Sequence, residues 1–149
     1  MFASNPNDVI LEELSRAGRK MRALFDARVK ERGLTLSRAR TLLILSKRQG
    51  LTQRELAEEL DIETPTLVRL LDGMEKQDFI ERRNVDGDRR AKQIFMTAGG
   101  EIVAREILEL AHELRRDLLK GVSEEDMATT LRVLRNISTC ASTSCRESV

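Results

Sequence analysis

Leu51 to Ile80 reads LTQRELAEELDIETPTLVRLLDGMEKQDFI. Thr52 stands three residues before Glu55, a T-x-x-E capping box that opens a short helix carrying Leu56, Ala57 and Leu60. DIET then makes a turn. Thr64 is expected to cap a second helix, with Pro65 at the first helical position, where its missing N–H costs nothing. Leu67, Leu71 and Met74 recur at helical spacing on one face, and Thr66, Arg69 and Gly73 on the other. Two short helices joined by a tight turn make a helix-turn-helix, or simply a corner in any helical protein. The flanking sequence decides between them.

Downstream, Phe79 to Arg83 and Lys92 to Met96 read as two short strands around the loop VDGDRRA. Asp86-Gly87 is a strong hairpin signal. Ile94 and Met96 are expected to face inward, and Gln93 and Phe95 outward. A hairpin directly after a helix-turn-helix makes a winged helix. That changes the reading of Arg89 and Arg90, which would otherwise be solvated charges on a loop tip. With the second helix aimed at a major groove, the hairpin tip falls over the neighbouring backbone and minor groove, whose concentrated negative potential attracts arginine.

Working outward, residues 7–32 read as a long helix with Leu14, Gly18, Met21, Phe25 and Val29 on one stripe, closed by Gly33. Ser37 is expected to cap the next helix, which carries Leu42, Leu43 and Leu45 and exits at Gly50. Thr97 caps another long helix with Val103, Ile107, Leu110, Leu114 and Leu118 in line. Ser123 and Asp126 form a capping box for a last helix with Met127, Leu131, Leu134 and Ile137. Long amphipathic helices outside the winged helix, with no second core to join, suggest a homodimer. The fold class expected is mainly α with a small β-hairpin wing. Residues 1–149 make a single domain: 7–32 and 98–145 serve as dimerisation helices around a 36–97 winged helix-turn-helix lobe.

Composition agrees. The chain has 149 residues, 40% hydrophobic and 34% charged, with only two prolines, which suits one helical globular domain. Net charge is +1, but residues 15–48 hold 11 Lys/Arg against 2 Asp/Glu, and residues 99–130 hold 4 against 8. Such asymmetry is either a nucleic-acid footprint or an unevenly solvated helix surface. MFASNPND has neither a basic nor an apolar leader region, and no apolar run could span a bilayer, so a cytoplasmic protein is expected.

TQRELAEEL, TPTLVRLLDGMEKQDFIERR and DGDRRAKQIFMTAGG, in series at these spacings, resemble the MarR family of bacterial transcription regulators, and within it the SlyA-type branch. The resemblance covers nearly the whole chain. It implies a homodimer that binds pseudo-palindromic promoter DNA, commonly released when a small aromatic or phenolic compound binds or a cysteine is oxidised. Thr64, Pro65, Thr66 and Arg69 would then read bases. Arginine can fork onto guanine, threonine can donate or accept, and proline or a threonine methyl can touch a thymine methyl. Arg90, with Arg89 beside it, would enter the minor groove, and Asp88 would orient the arginine by an ion pair. Ser37, Arg38, Gln53 and Arg54 would meet phosphates at helix starts.

An effector pocket of the family's kind would draw on Met21, Phe25, Leu43 and Val103, each equally well accounted for as plain core. No cofactor or metal site is expected: His112 is the only histidine and has no ligand-spaced partners. Cys140 and Cys145 are the only thiols, too far apart along one helix to bridge, and residues 1–139 lack the N-terminal cysteine of redox-sensing relatives. No P-loop, GxSxG, HExxH or CxxC motif is present, which argues against an enzyme. Four Phe and no Tyr or Trp argue against single-strand binding by stacking. The alternative is a winged helix used for protein–protein contact without DNA.

Overall fold

The computed structural model describes residues 5–146, with the side chains of residues 89, 90 and 144–146 outside the description. Six helices and three strands follow the chain: α1 Pro6–Lys30, α2 Leu36–Lys47, β1 Leu51–Thr52, α3 Gln53–Leu60, α4 Thr64–Lys76, β2 Ile80–Val85, β3 Asp88–Met96, α5 Ala98–Leu118 and α6 Glu124–Arg146. The described residues up to Leu114 form one compact unit, and those from Arg115 a second. No helix among the described residues is long and apolar enough to cross a membrane.

The first unit is built on an antiparallel sheet of order β1-β3-β2. Leu51 pairs with Ile94, and Ile80 with Met96. Leu42, Leu45, Leu51, Leu56, Leu60, Leu67, Leu71, Met74, Ile80 and Ile94 close one core from α2, α3, α4 and the sheet. A smaller cluster joins Val29 of α1, Leu34, Ala39 of α2, and Ile107 and Leu110 of α5. In the second unit α6 is a regular helix, and its Met127, Leu131 and Leu134 stay 38%, 47% and 36% exposed.

Several boundaries differ from the sequence expectation. Thr35, not Ser37, caps α2: its hydroxyl accepts the Arg38 N–H at 3.3 Å. Glu63, not Thr64, is the N-cap of α4, with no side-chain capping bond, so Thr64 and Pro65 both lie in the first turn. Runs such as TLS and ET offer several polar residues in a row, and the tertiary path selects among them. β1 was not expected at all. The hairpin is also longer than read, with Asp86-Gly87 as its turn and Gly87 at φ +84°. Arg89 and Arg90 are therefore strand residues of β3, not loop-tip residues.

Candidate nucleic-acid interface

The capping box opens α3 as expected. The Glu55 N–H donates to the Thr52 hydroxyl at 3.2 Å, and the Thr52 N–H donates to the Glu55 carboxylate at 2.8 Å. The Thr52 N–H foremost, then the Thr52 hydroxyl, which donates to the same carboxylate at 3.1 Å, hold the Glu55 carboxyl below its ordinary value, aided by the nearby Arg48. α3 ends on Asp61 in the left-handed region (φ 54°), with its N–H turned back to Ala57 and Glu58 carbonyls. Aspartate tolerates that conformation better than most side chains. The bend delivers the chain directly to Glu63 and the start of α4.

α4 is two-faced. Leu67, Leu71 and Met74 are fully buried. Thr64, Pro65, Thr66 and Arg69 are all exposed, and the side chains of Thr64, Thr66 and Arg69 make no bond among the described residues. One exposed surface thus carries two hydroxyls, an apolar ring and a guanidinium, the mixture that can address base edges. Gln53 and Arg54 lie in the first turn of α3; Arg54 is exposed and pairs with Glu58 at 3.2 Å. Ser37 is exposed and Arg38 half-buried in the first turn of α2.

The wing is tied to α4 by Arg82, a residue that sequence reasoning passed over. From β2 its guanidinium reaches back across the helix: Nε donates to Glu75 at 2.9 Å and Nη2 to Asp72. Burial, the largest single influence, would lower the Arg82 pKa. The bonds to Asp72 and Glu75 outweigh it and hold the pKa above the usual arginine range. The signal was present as two acidic residues three apart on α4 and a basic residue on the next strand. Only tertiary packing says that they meet. On the outer face of the sheet Arg83 lies over the Phe95 ring, 4.1 Å from its centroid, and the Met96 N–H donates to the Gln49 side chain at 2.9 Å.

Asn84 pairs with Lys92, whereas Val85 pairs with Asp88. Arg89, Arg90 and Ala91 therefore stand on β3 without counterparts on β2, forming a bulge at the distal end of the wing. Bulges re-aim side chains and sharpen local twist. Asp88 is exposed at the start of the strand. The expected ion pair from Asp88 to Arg90, and the reach of Arg89 and Arg90 into a groove, lie outside the described residues, because those two side chains do.

Of the four pocket residues, Phe25, Leu43 and Val103 pack together against the smaller core cluster. Met21 does not join them and is 49% exposed. His112 is exposed, and no group of metal-ligating side chains occurs among the described residues. Cys140 is an exposed free thiol on α6; the Cys145 side chain lies outside the described residues.

A helix pair and an antiparallel wing, with the outward face of α4 exposed, define a winged helix-turn-helix protein. Residues 32–91 match the MarR family. The transcriptional regulator PA3341 is 37% identical, with 90% of this chain and 98% of that one covered at a TM-score of 0.83. The chain belongs to the MarR family, whose members are transcriptional regulators rather than enzymes. The fold is also shared with the transcriptional regulator SlyA (24% identity, TM-score 0.79, 91% and 95% covered). It is shared too with S. aureus MepR, crystallised as a DNA complex (24% identity, TM-score 0.77, 93% and 99% covered).

Proposed function

We propose that this chain is a sequence-specific double-stranded-DNA-binding regulator that acts in the cytoplasm as a homodimer on a pseudo-palindromic promoter site. The observation that carries the reading is the exposed face of α4. Thr64, Thr66 and Arg69 have their hydrogen-bonding groups unspent, while the opposite face is sealed in the core. A helix held this firmly, with its polar groups held outward, is suited to a major groove. The bulge that carries Arg89 and Arg90 at the end of the wing supports a second contact in the flanking minor groove. The DNA complex of the fold neighbour MepR agrees with this use of the fold. The motif series quoted above supports placement in the SlyA-type branch.

Dimerisation is supported by apolar residues that the single chain leaves exposed. They include Val9, Ile10, Leu11 and Leu14 on α1, and Met127, Leu131 and Leu134 on α6. The 36–97 lobe would bind DNA, and residues 7–32 and 98–145 would pair the two copies. Release by a small aromatic or phenolic compound completes the reading, with Phe25, Leu43 and Val103 as the apolar wall available to it.

The test is binding of the purified protein to its own upstream duplex and to a scrambled duplex across a salt series, with a panel of small phenols added last. Tight binding to the first duplex, falling steeply with salt, is expected. Equal affinity for both duplexes would remove sequence specificity. Absence of binding at low salt would leave the protein-contact alternative in its place.

A further inference from the structure

α4 carries a glycine in its interior, and its backbone does not ask for one. Gly73 begins the last turn of Thr64–Lys76, and it is not among the residues with positive φ. An interior glycine weakens a helix relative to alanine. A Cβ at position 73 would meet one thing, the Arg38 guanidinium, with Nη2 at 2.9 Å and Cζ at 3.9 Å. Gly100 is a different case, since a Cβ there would strike a backbone carbonyl. At Gly73 the space is filled by the far end of a flexible cation from α2.

That cation is unspent. Arg38 is half-buried, yet its side chain makes no hydrogen bond or ion pair among the described residues. Asp72 and Glu75 on the same helix are taken by Arg82 instead. Positions 66, 69 and 73 share one helix face by spacing, so Arg38 rests on the face that carries Thr66 and Arg69.

We propose that Gly73 is a positioning residue. Its missing side chain seats the Arg38 guanidinium against α4, beside Arg69, where the five N–H donors of Arg38 take a DNA backbone phosphate at the edge of the groove that α4 enters. The fork of donors matches phosphate oxygens, and the contact fixes the depth and angle of the helix without reading a base. This rests on the DNA-binding reading above.

The test uses the full-length protein as wild type, Gly73→Ala, Arg38→Ala, the double variant and Arg69→Ala. Melting temperature and affinity for the upstream duplex are measured across a salt series. Gly73→Ala should raise the melting temperature by a few degrees, because the helix gains. It should at the same time weaken DNA binding roughly tenfold at low salt, and flatten the salt dependence by about one phosphate contact per protomer. Arg38→Ala should show the same loss, and the double variant no further loss. Three results overturn the proposal: Gly73→Ala binding like wild type with the same slope, a lowered melting temperature, or an undiminished loss when added to Arg38→Ala, which would mean that the methyl itself meets DNA. If wild type binds and Arg69→Ala does not, any of these sinks the Gly73 seat alone. If wild type fails to bind, the DNA-binding reading falls, and the seat with it.

Discussion

α4 and α6 carry the same stripe. Leu67, Leu71 and Met74 on one, and Met127, Leu131 and Leu134 on the other, recur at four and then three residues. On α4 all three are 0% exposed; on α6 they are 38%, 47% and 36% exposed. Periodicity states that a face is apolar. It does not state what covers it. The α4 stripe is closed by α2, α3 and the sheet within its own unit. The α6 stripe is left open within its own unit, and in the proposed homodimer a second copy would cover it.

Truncating one residue from each stripe separates the two. Leu71→Ala opens a cavity in a closed core and should cost about 3 kcal/mol of unfolding free energy, read by denaturant titration at any protein concentration. Leu131→Ala should act through assembly instead, raising the dimer dissociation constant in sedimentation and making the melting temperature depend on concentration. A concentration-independent loss as large as that of Leu71→Ala would mean that the α6 stripe is an internal core after all.

The next effect sharpens how the α4 unit is closed. The start of α5 is clipped to the turn after α4: the Thr97 N–H donates to the Phe79 carbonyl at 3.1 Å, and the Gly100 N–H to the Thr97 hydroxyl at 3.0 Å. A Cβ on Gly100 would sit 1.9 Å from the Phe79 oxygen. Gly100→Ala should therefore cost about 2 kcal/mol, against the usual gain from alanine in a helix, and calorimetry reads the sign. Arg82→Met follows at about 1.5 kcal/mol, since it removes charge-assisted bonds from a side chain only 16% exposed. It should also weaken DNA binding, because it loosens the wing from α4.

The smallest effects lie at the start of α3. Thr52→Ala should cost about 1 kcal/mol by loss of the cap. The Glu55 carboxyl is held below its ordinary value of 4.5. Its stabilising effect is therefore complete above the unfolded-state pKa and is lost as pH falls through the lower folded-state value. The stability difference between wild type and Glu55→Gln should be present at neutral pH and close in acid. A difference that persists unchanged below both values would remove the carboxylate from the account.

What was legible in the sequence was local. The Thr52–Glu55 box, the Asp86-Gly87 turn and the buried stripe of α4 each depend on residues within one turn or one helix, and each was read as it stands. What was missed needed partners far along the chain. β1 is two residues long and exists because Leu51 pairs with Ile94. The bulge at Arg89 to Ala91 is a matter of register between β2 and β3, so the polar run VDGDRRA passed for a loop. The Arg82 clamp and the Arg38 seat on Gly73 join residues from different elements, which meet only once the fold is packed. The proposed base readers Thr64, Pro65, Thr66 and Arg69 could be grouped because they share one helix. Their supports could not.

In the proposed function the exposed face of α4 and the bulged wing bind one DNA site together. The most direct measurement is the affinity of wild type, Arg69→Ala and Arg90→Ala for the upstream duplex and a scrambled duplex, at two salt concentrations. Arg69→Ala should lose roughly 1–3 kcal/mol on the upstream duplex and most of its preference over the scrambled one. Arg90→Ala should weaken binding and flatten its salt dependence. Affinity, preference and salt dependence left at wild-type values by both substitutions would contradict the account.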